Sequence, residues 1–191
     1  MGKHMLTFHE LEHGYKLSLD NAKQMFEEAE GLAIFEHYAR AYALYQLTIE
    51  EIGKCIILMQ AILCFLLGDE IDYDRLKTWG FEDHISKSRS SLGAENVMLN
   101  FFQNYVGHDC TELFDDLKQS ANSLKKANRS KNDSLYVGFN GNKFVSPQEC
   151  ISKKMVDDIA FKALVRIKAM EPMLRSEEEM KKMVKVLKTN V

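Results

Sequence analysis

The chain has 191 residues, a net charge of −3, 46 % hydrophobic and 28 % charged residues, the make-up of a globular protein with enough length for one sizeable core. Only two prolines and ten glycines occur, which argues against a β-sandwich or a disordered tail. The slight acidity excludes wholesale coating of nucleic acid and leaves room for a local basic face.

In chain order the pattern is helical almost throughout. The opening Met1-Gly-Lys-His-Met lacks the apolar run of a secretory signal and carries no weight. Ser18 or Asp20 is suited to cap a first helix with Ala22, Met25, Phe26, Ala29, Leu32 and Ala33 inward. A central helix from about Phe35 to Leu67, stopped by Gly68-Asp69, follows. It is apolar on two sides: Tyr38, Tyr42, Tyr45, Ile49, Ile52 and Met59 form one stripe, and Leu47, Leu58, Ala61 and Phe65 lie opposite. Such a helix belongs in the middle of a bundle. Its run Cys55–Leu67 has thirteen residues, too few for the ~20 a bilayer crossing needs.

Asp72–Trp79 reads as a short helix, and Glu82–Tyr105 as one or two more, broken near Gly93. Thr111–Arg129 is amphipathic, with Leu113, Leu117, Ala121 and Leu124 inward. Ser130–Val145 lacks helical periodicity and holds a hairpin signal built on Asn140-Gly141. Ser146-Pro147-Gln148-Glu149 opens a further helix with N-cap, N1 proline and N3 glutamate in place, and Met155, Val156, Ile159, Ala163, Leu164 and Ile167 form its inner face. A last helix follows Pro172, acidic at its start and lysine-rich toward its end. The expected architecture is all-α: one antiparallel bundle of about six helices spanning 1–191, with an irregular loop or short hairpin near 130–146.

Three groups of residues have chemical potential. Arg40, Glu50, Glu51 and Lys54 interrupt the apolar central helix, and buried charge needs partners. Glu50 and Lys54 can pair along the helix, whereas Arg40 and Glu51 must look to other helices or a second subunit. This is either a network fixing helix register or a functional site. Lys118, Asn122, Lys125 and Arg129, with Lys126 beside them, form a basic line fit for phosphate, or a solvated helix face. His84 and Lys87, three apart, share a helix face, and a histidine can transfer protons at neutral pH. The spread-out Cys55, Cys64, Cys110 and Cys150 suggest neither zinc nor disulfides, and no metal or cofactor is expected. A reducing cytosol fits them.

Taken in order, several segments resemble the AbiV family of bacterial abortive-infection proteins, a branch of the HEPN superfamily. They are Asn21-Ala22, Tyr38-Ala-Arg-Ala, Ile49-Glu-Glu-Ile-Gly-Lys54, Asp83-His84-Ile-Ser-Lys87, Lys126-Ala-Asn-Arg129, Leu135-Tyr136-Val137 and Pro147, within about residues 15–170. The resemblance implies a HEPN-like helical bundle that forms a homodimer, does not enter a membrane and defends the bacterial cytosol against phage. Its partner would be a phage protein, the translation machinery or RNA. Many HEPN proteins are metal-independent ribonucleases whose signature is an Arg followed within a few residues by a His. Here Tyr136 follows Arg129 and no His does. The resemblance therefore implies an effector that binds its partner and shuts down expression, or alternatively a diverged ribonuclease with Arg129, Tyr136 and His84 as the catalytic candidates. Lys118, Lys125, Lys126 and Lys87 would hold phosphate or a partner.

Overall fold

The computed structural model describes residues 3–94 and 120–189, apart from the side chains of 120–123 and 186–189. The expected second half of the 82–105 region, the start of the helix from Thr111, and Lys118 lie outside the described residues.

Two long helices set the frame. α1 (Phe8–Ile34) and α2 (Tyr38–Leu67) are joined by so short a turn that they must run antiparallel. Glu36 sits in the left-handed region there, at φ 61°. The first helix starts well before Ser18. Thr7 caps it, accepting from the Glu10 backbone at 3.2 Å while the Glu10 carboxylate accepts from the Thr7 backbone at 2.8 Å. Leu11, Tyr15 and Leu19 continue its buried stripe upstream, and Ser18 is a buried residue within it. The buried Tyr15 hydroxyl donates to the Met170 carbonyl at 2.7 Å, and burial pushes its ionisation far upward. α2 ends where expected, at Gly68 with φ 103°.

The remaining elements wrap α2. α3 (Tyr73–Thr78) and α4 (His84–Ser90) begin on the N-caps Asp72 and Asp83. α5 is described over Ser120–Leu135, and the antiparallel hairpin β1 (Gly138–Asn140) and β2 (Lys143–Val145) follows. α6 (Pro147–Cys150), α7 (Lys153–Met170) and α8 (Glu177–Thr189) complete the order. The protein is all-α with this one small sheet, and the described residues hold eight helices.

Four further features depart from expectation. The capping box at Ser146 forms, with the Glu149 carboxylate accepting from the Ser146 backbone at 2.7 Å, yet the helix stops after one turn. Ile151 turns extended, at φ −114° and ψ 117°, with its side chain in the core, and Ser152 caps a fresh helix. Leu164, expected inward, is 40 % exposed. The hairpin pairs Asn140 with Lys143, so the turn is centred on Gly141-Asn142, with Gly141 supplying φ 64°. Most consequential is the six-residue extension of α5 from Arg129 to Leu135.

The apolar interior forms two clusters along α2. The second half of α2, including Ile52, Leu58 and Ile62, packs with Leu11, Tyr15, Ile167 and Met170. The first half, including Tyr42, Tyr45 and Ile49, packs with Ala29, Val156, Ile159 and Ala163. α7 therefore runs beside α2 in the same direction. No helix among the described residues is long and apolar enough to cross a membrane.

Gly53 decides how close α4 comes to this axis. A Cβ there would lie 1.9 Å from the Lys87 carbonyl oxygen, against backbone that cannot swing away. Gly53→Ala is expected to destabilise the protein by about 2–3 kcal/mol in urea unfolding, as overpacking does. Gly31→Ala, with nothing within 4 Å of the added atom, should leave stability unchanged or raise it by up to about 1 kcal/mol.

Candidate functional site around Glu50

The site begins with a carboxylate in the wrong solvent. Glu50 sits mid-way along α2 with its side chain 3 % exposed, where an unpaired charge would be strongly unfavourable. An imidazole and two ammonium groups from two other helices answer it. His84 Nδ1 lies 2.5 Å from Oε2, Lys131 Nζ lies 2.5 Å from Oε1, and Lys87 Nζ stands 3.8 Å from Oε2.

Local sequence explains how these groups converge. The Asp83 side chain accepts from the Ser86 backbone at 2.6 Å, starting α4 so that His84 and Lys87 fall one above the other. One turn before Glu50, Gln46 donates to the Ser88 hydroxyl at 3.3 Å, a second pin between α2 and α4. On the other side, Tyr42 bonds the Ser130 side chain, which partly offsets the upward push of burial on the tyrosine hydroxyl. Arg40 Nη1 donates to the Leu135 carbonyl at 3.5 Å. Contacts at Ser130, Lys131 and Leu135 thus hold the end of α5 on α2, and they outweigh the weak helix propensity of Asn132-Asp133-Ser134.

The expected central network separates into two. Lys54 pairs with Glu51 at 2.6 Å, three residues back, and its ammonium lies 5.6 Å from the centre of the Phe81 ring. Glu50 faces α4 and α5 instead. The charges of α2 therefore find partners within their own chain and do not require a second subunit.

The catalytic candidates are also divided. His84 belongs to the Glu50 cluster, and its side chain is 60 % exposed although its carboxylate partner is buried. Arg129 lies two residues before Lys131, about 200° around the helix. Lys131 consequently points inward while Arg129 is 85 % exposed, with Asp133 at 3.9 Å. Tyr136 is exposed just past the helix end, and Lys125 and Lys126 are exposed on α5. Lys87, expected to meet phosphate, is buried beside Glu50.

Lys131 is the residue the sequence reading passes over. The signal was present: Leu124 and Lys131 are seven apart, a helical repeat that places both on one face. Ending the helix at Arg129 hid it. Among the described residues no cluster of His, Cys, Asp and Glu fits a metal ion.

This all-α bundle has the helical architecture expected of a HEPN-type domain. A family model described as HEPN_AbiV, AbiV, matches residues 10–166, and the chain belongs to that family. No curated protein and no solved structure matches. Membership of the AbiV family indicates a role in abortive-infection defence.

Removing one partner of a buried pair strands the other, whereas a partly exposed pair matters little. Lys131→Met should therefore cost about 3 kcal/mol in urea unfolding. Lys54→Met, with its ammonium partly solvated, should cost under about 1 kcal/mol.

Proposed function

We propose that the protein is a cytosolic antiphage effector that works as a symmetric dimer and engages RNA, free or within the translation machinery, along α5 and the hairpin. The observation that carries this reading is a chain-continuous run of exposed cations and aromatics. Lys125, Lys126 and Arg129 lead to Tyr136, and then to Phe139 and Phe144, which face one another across the hairpin at 5.1 Å between ring centres. Both rings are largely solvent-facing, at 63 % and 75 % exposure. Cations that meet phosphates beside rings that stack on bases are the usual chemistry of single-strand binding. Phage proteins remain the competing class of partner, since exposed aromatics also suit an apolar protein surface.

Dimerisation finds support in Phe161 and Leu164, three residues apart on the outer side of α7 and exposed at 66 % and 40 %. Pairing of two such faces would cover them. A second functional reading, a diverged HEPN ribonuclease, draws on the solvent-facing imidazole held by Glu50.

Fluorescence anisotropy with a labelled single-stranded RNA tests the binding reading. Phe139→Ala and Phe144→Ala should each weaken binding by about 1–3 kcal/mol, and Arg129→Ala should both weaken it and flatten its salt dependence. Cells expressing Arg129→Ala should lose phage protection while the protein keeps its helical circular dichroism. Light scattering should return a mass near twice 22.0 kDa. If the wild type binds no RNA at micromolar concentration and low salt, the partner is a protein and the RNA reading falls.

A further inference from the structure

We infer that a second copy of this chain docks antiparallel on the outer face of α7, with Phe161 of each copy packed against Leu164 of the other. The inference rests on the dimeric reading above and gives it a surface, an orientation and a register.

α7 spends one side on its own bundle. Val156, Ile159, Ala163, Ile167 and Met170 are buried in the two apolar clusters along α2. On the opposite side Lys154, Asp157, Phe161, Leu164, Lys168 and Glu171 are exposed. Glu171, the C-cap, keeps helical angles of φ −50° and ψ −47°, so it extends the line by one residue. Successive members of this line alternate between three and four residues apart, which is the a and d spacing of a coiled-coil seam. Its centre is apolar and both ends are charged. Phe161 and Leu164 are one turn apart at 66 % and 40 % exposure, a paired apolar spot rather than scattered surface residues.

Charge decides the orientation. In a parallel pair each seam position meets itself, so Lys154, Asp157, Lys168 and Glu171 would all face like charge. In an antiparallel pair a positions meet d positions. Centring that pair between Phe161 and Leu164 sets Phe161 against Leu164, Asp157 against Lys168 and Lys154 against Glu171 of the second copy, each layer occurring twice by symmetry. Sliding one copy by a heptad sets Asp157 on Phe161 or Lys168 on Leu164, so only the centred register matches apolar and charged layers together.

Lys168 and Glu171 already pair within the chain at 3.1 Å, and Glu171 also meets Lys23 at 3.2 Å. The second copy brings Asp157 to Lys168 and Lys154 to Glu171, so charge alternates in sign along each end of the seam. Asp158 and Lys162, four apart on one flank, can neutralise each other within each copy. α7 carries none of the cations and rings of α5 and the hairpin. A dimer built on this seam therefore presents two copies of that surface.

Analytical ultracentrifugation of the full chain at low salt tests the seam. Wild type should show a monomer–dimer equilibrium. Asp157→Lys and Lys168→Asp each place like charges in both symmetric layers, so each should weaken dimerisation by at least about tenfold. The double variant Asp157→Lys with Lys168→Asp restores opposite charges only in the antiparallel register, and should return the dissociation constant to within about threefold of wild type. Mixing the two single variants should give a heterodimer. All these positions are exposed, so circular dichroism should remain that of wild type. A double variant as weak as the singles overturns the antiparallel register. Dimerisation unchanged by both single variants overturns the seam and leaves the dimeric reading standing with its contact elsewhere. A wild type that stays monomeric at high micromolar concentration removes the dimeric reading, and the seam with it.

Discussion

A carboxylate placed in the interior of a helical bundle must be answered from outside its own helix, and Glu50 imposes that demand on this fold. A buried charge is costly unless it is paired, and the pairing partners must come close and stay close. Here they come from α4 and α5, so a single side chain determines where two further helices lie against α2. Gln46 to Ser88 and Tyr42 to Ser130 act in the same direction at neighbouring positions of α2. The glycine of the Glu-Glu-Ile-Gly-Lys segment then has a structural role: it lets the α4 backbone approach until His84 and Lys87 reach the carboxylate.

The same network explains why a helix persists through Ser130–Leu135, a stretch of weak helix formers. Lys131 gains a buried partner only if the helix continues past Arg129, and Ser134 bonds the Lys131 carbonyl at 2.6 Å. Tertiary pairing overrides local propensity there. One consequence is a division of labour around α5. Its inner side carries Leu124, Lys131 and Ser134 into the bundle, and its outer side leaves Lys125, Lys126 and Arg129 in solvent. A helix can join a buried ionic cluster to an exposed cationic face in this way because two residues of separation reverse direction. The bundle therefore presents two distinct groups of side chains, one organised around an imidazole and one around arginine and aromatic rings.

Much of this protein was legible in one dimension. Two-sided apolarity along Tyr38–Leu67 identified the central helix, Gly68 its end, and the spacing of His84 and Lys87 their common face. Asn140-Gly141 signalled a hairpin whose turn proved to lie one residue further on. These features depend on helical period, turn chemistry and caps, all of which act between neighbours a few residues apart. Ordered family-like segments then identified the AbiV resemblance that the family match establishes over residues 10–166.

Other features depend on contacts between residues far apart in the chain, which no local pattern encodes. Whether Glu50 or Glu51 would take Lys54 turned on which carboxylate was enclosed by α4 and α5 and which stayed part-buried beside Lys54. Spacing alone favoured Glu50, four residues back, and sent Glu51 to other helices, whereas Glu51, three residues back, takes Lys54. Lys131 is 81 positions from its carboxylate, and although its spacing from Leu124 places it on the inner face of α5, nothing near it says which charge it meets there. The sequence by itself determined the all-α class, most of the inward faces and the family resemblance. Tertiary structure alone decided which charges meet, because the energy of a buried ion pair depends on a shared low-dielectric site that exists only once separate helices enclose it.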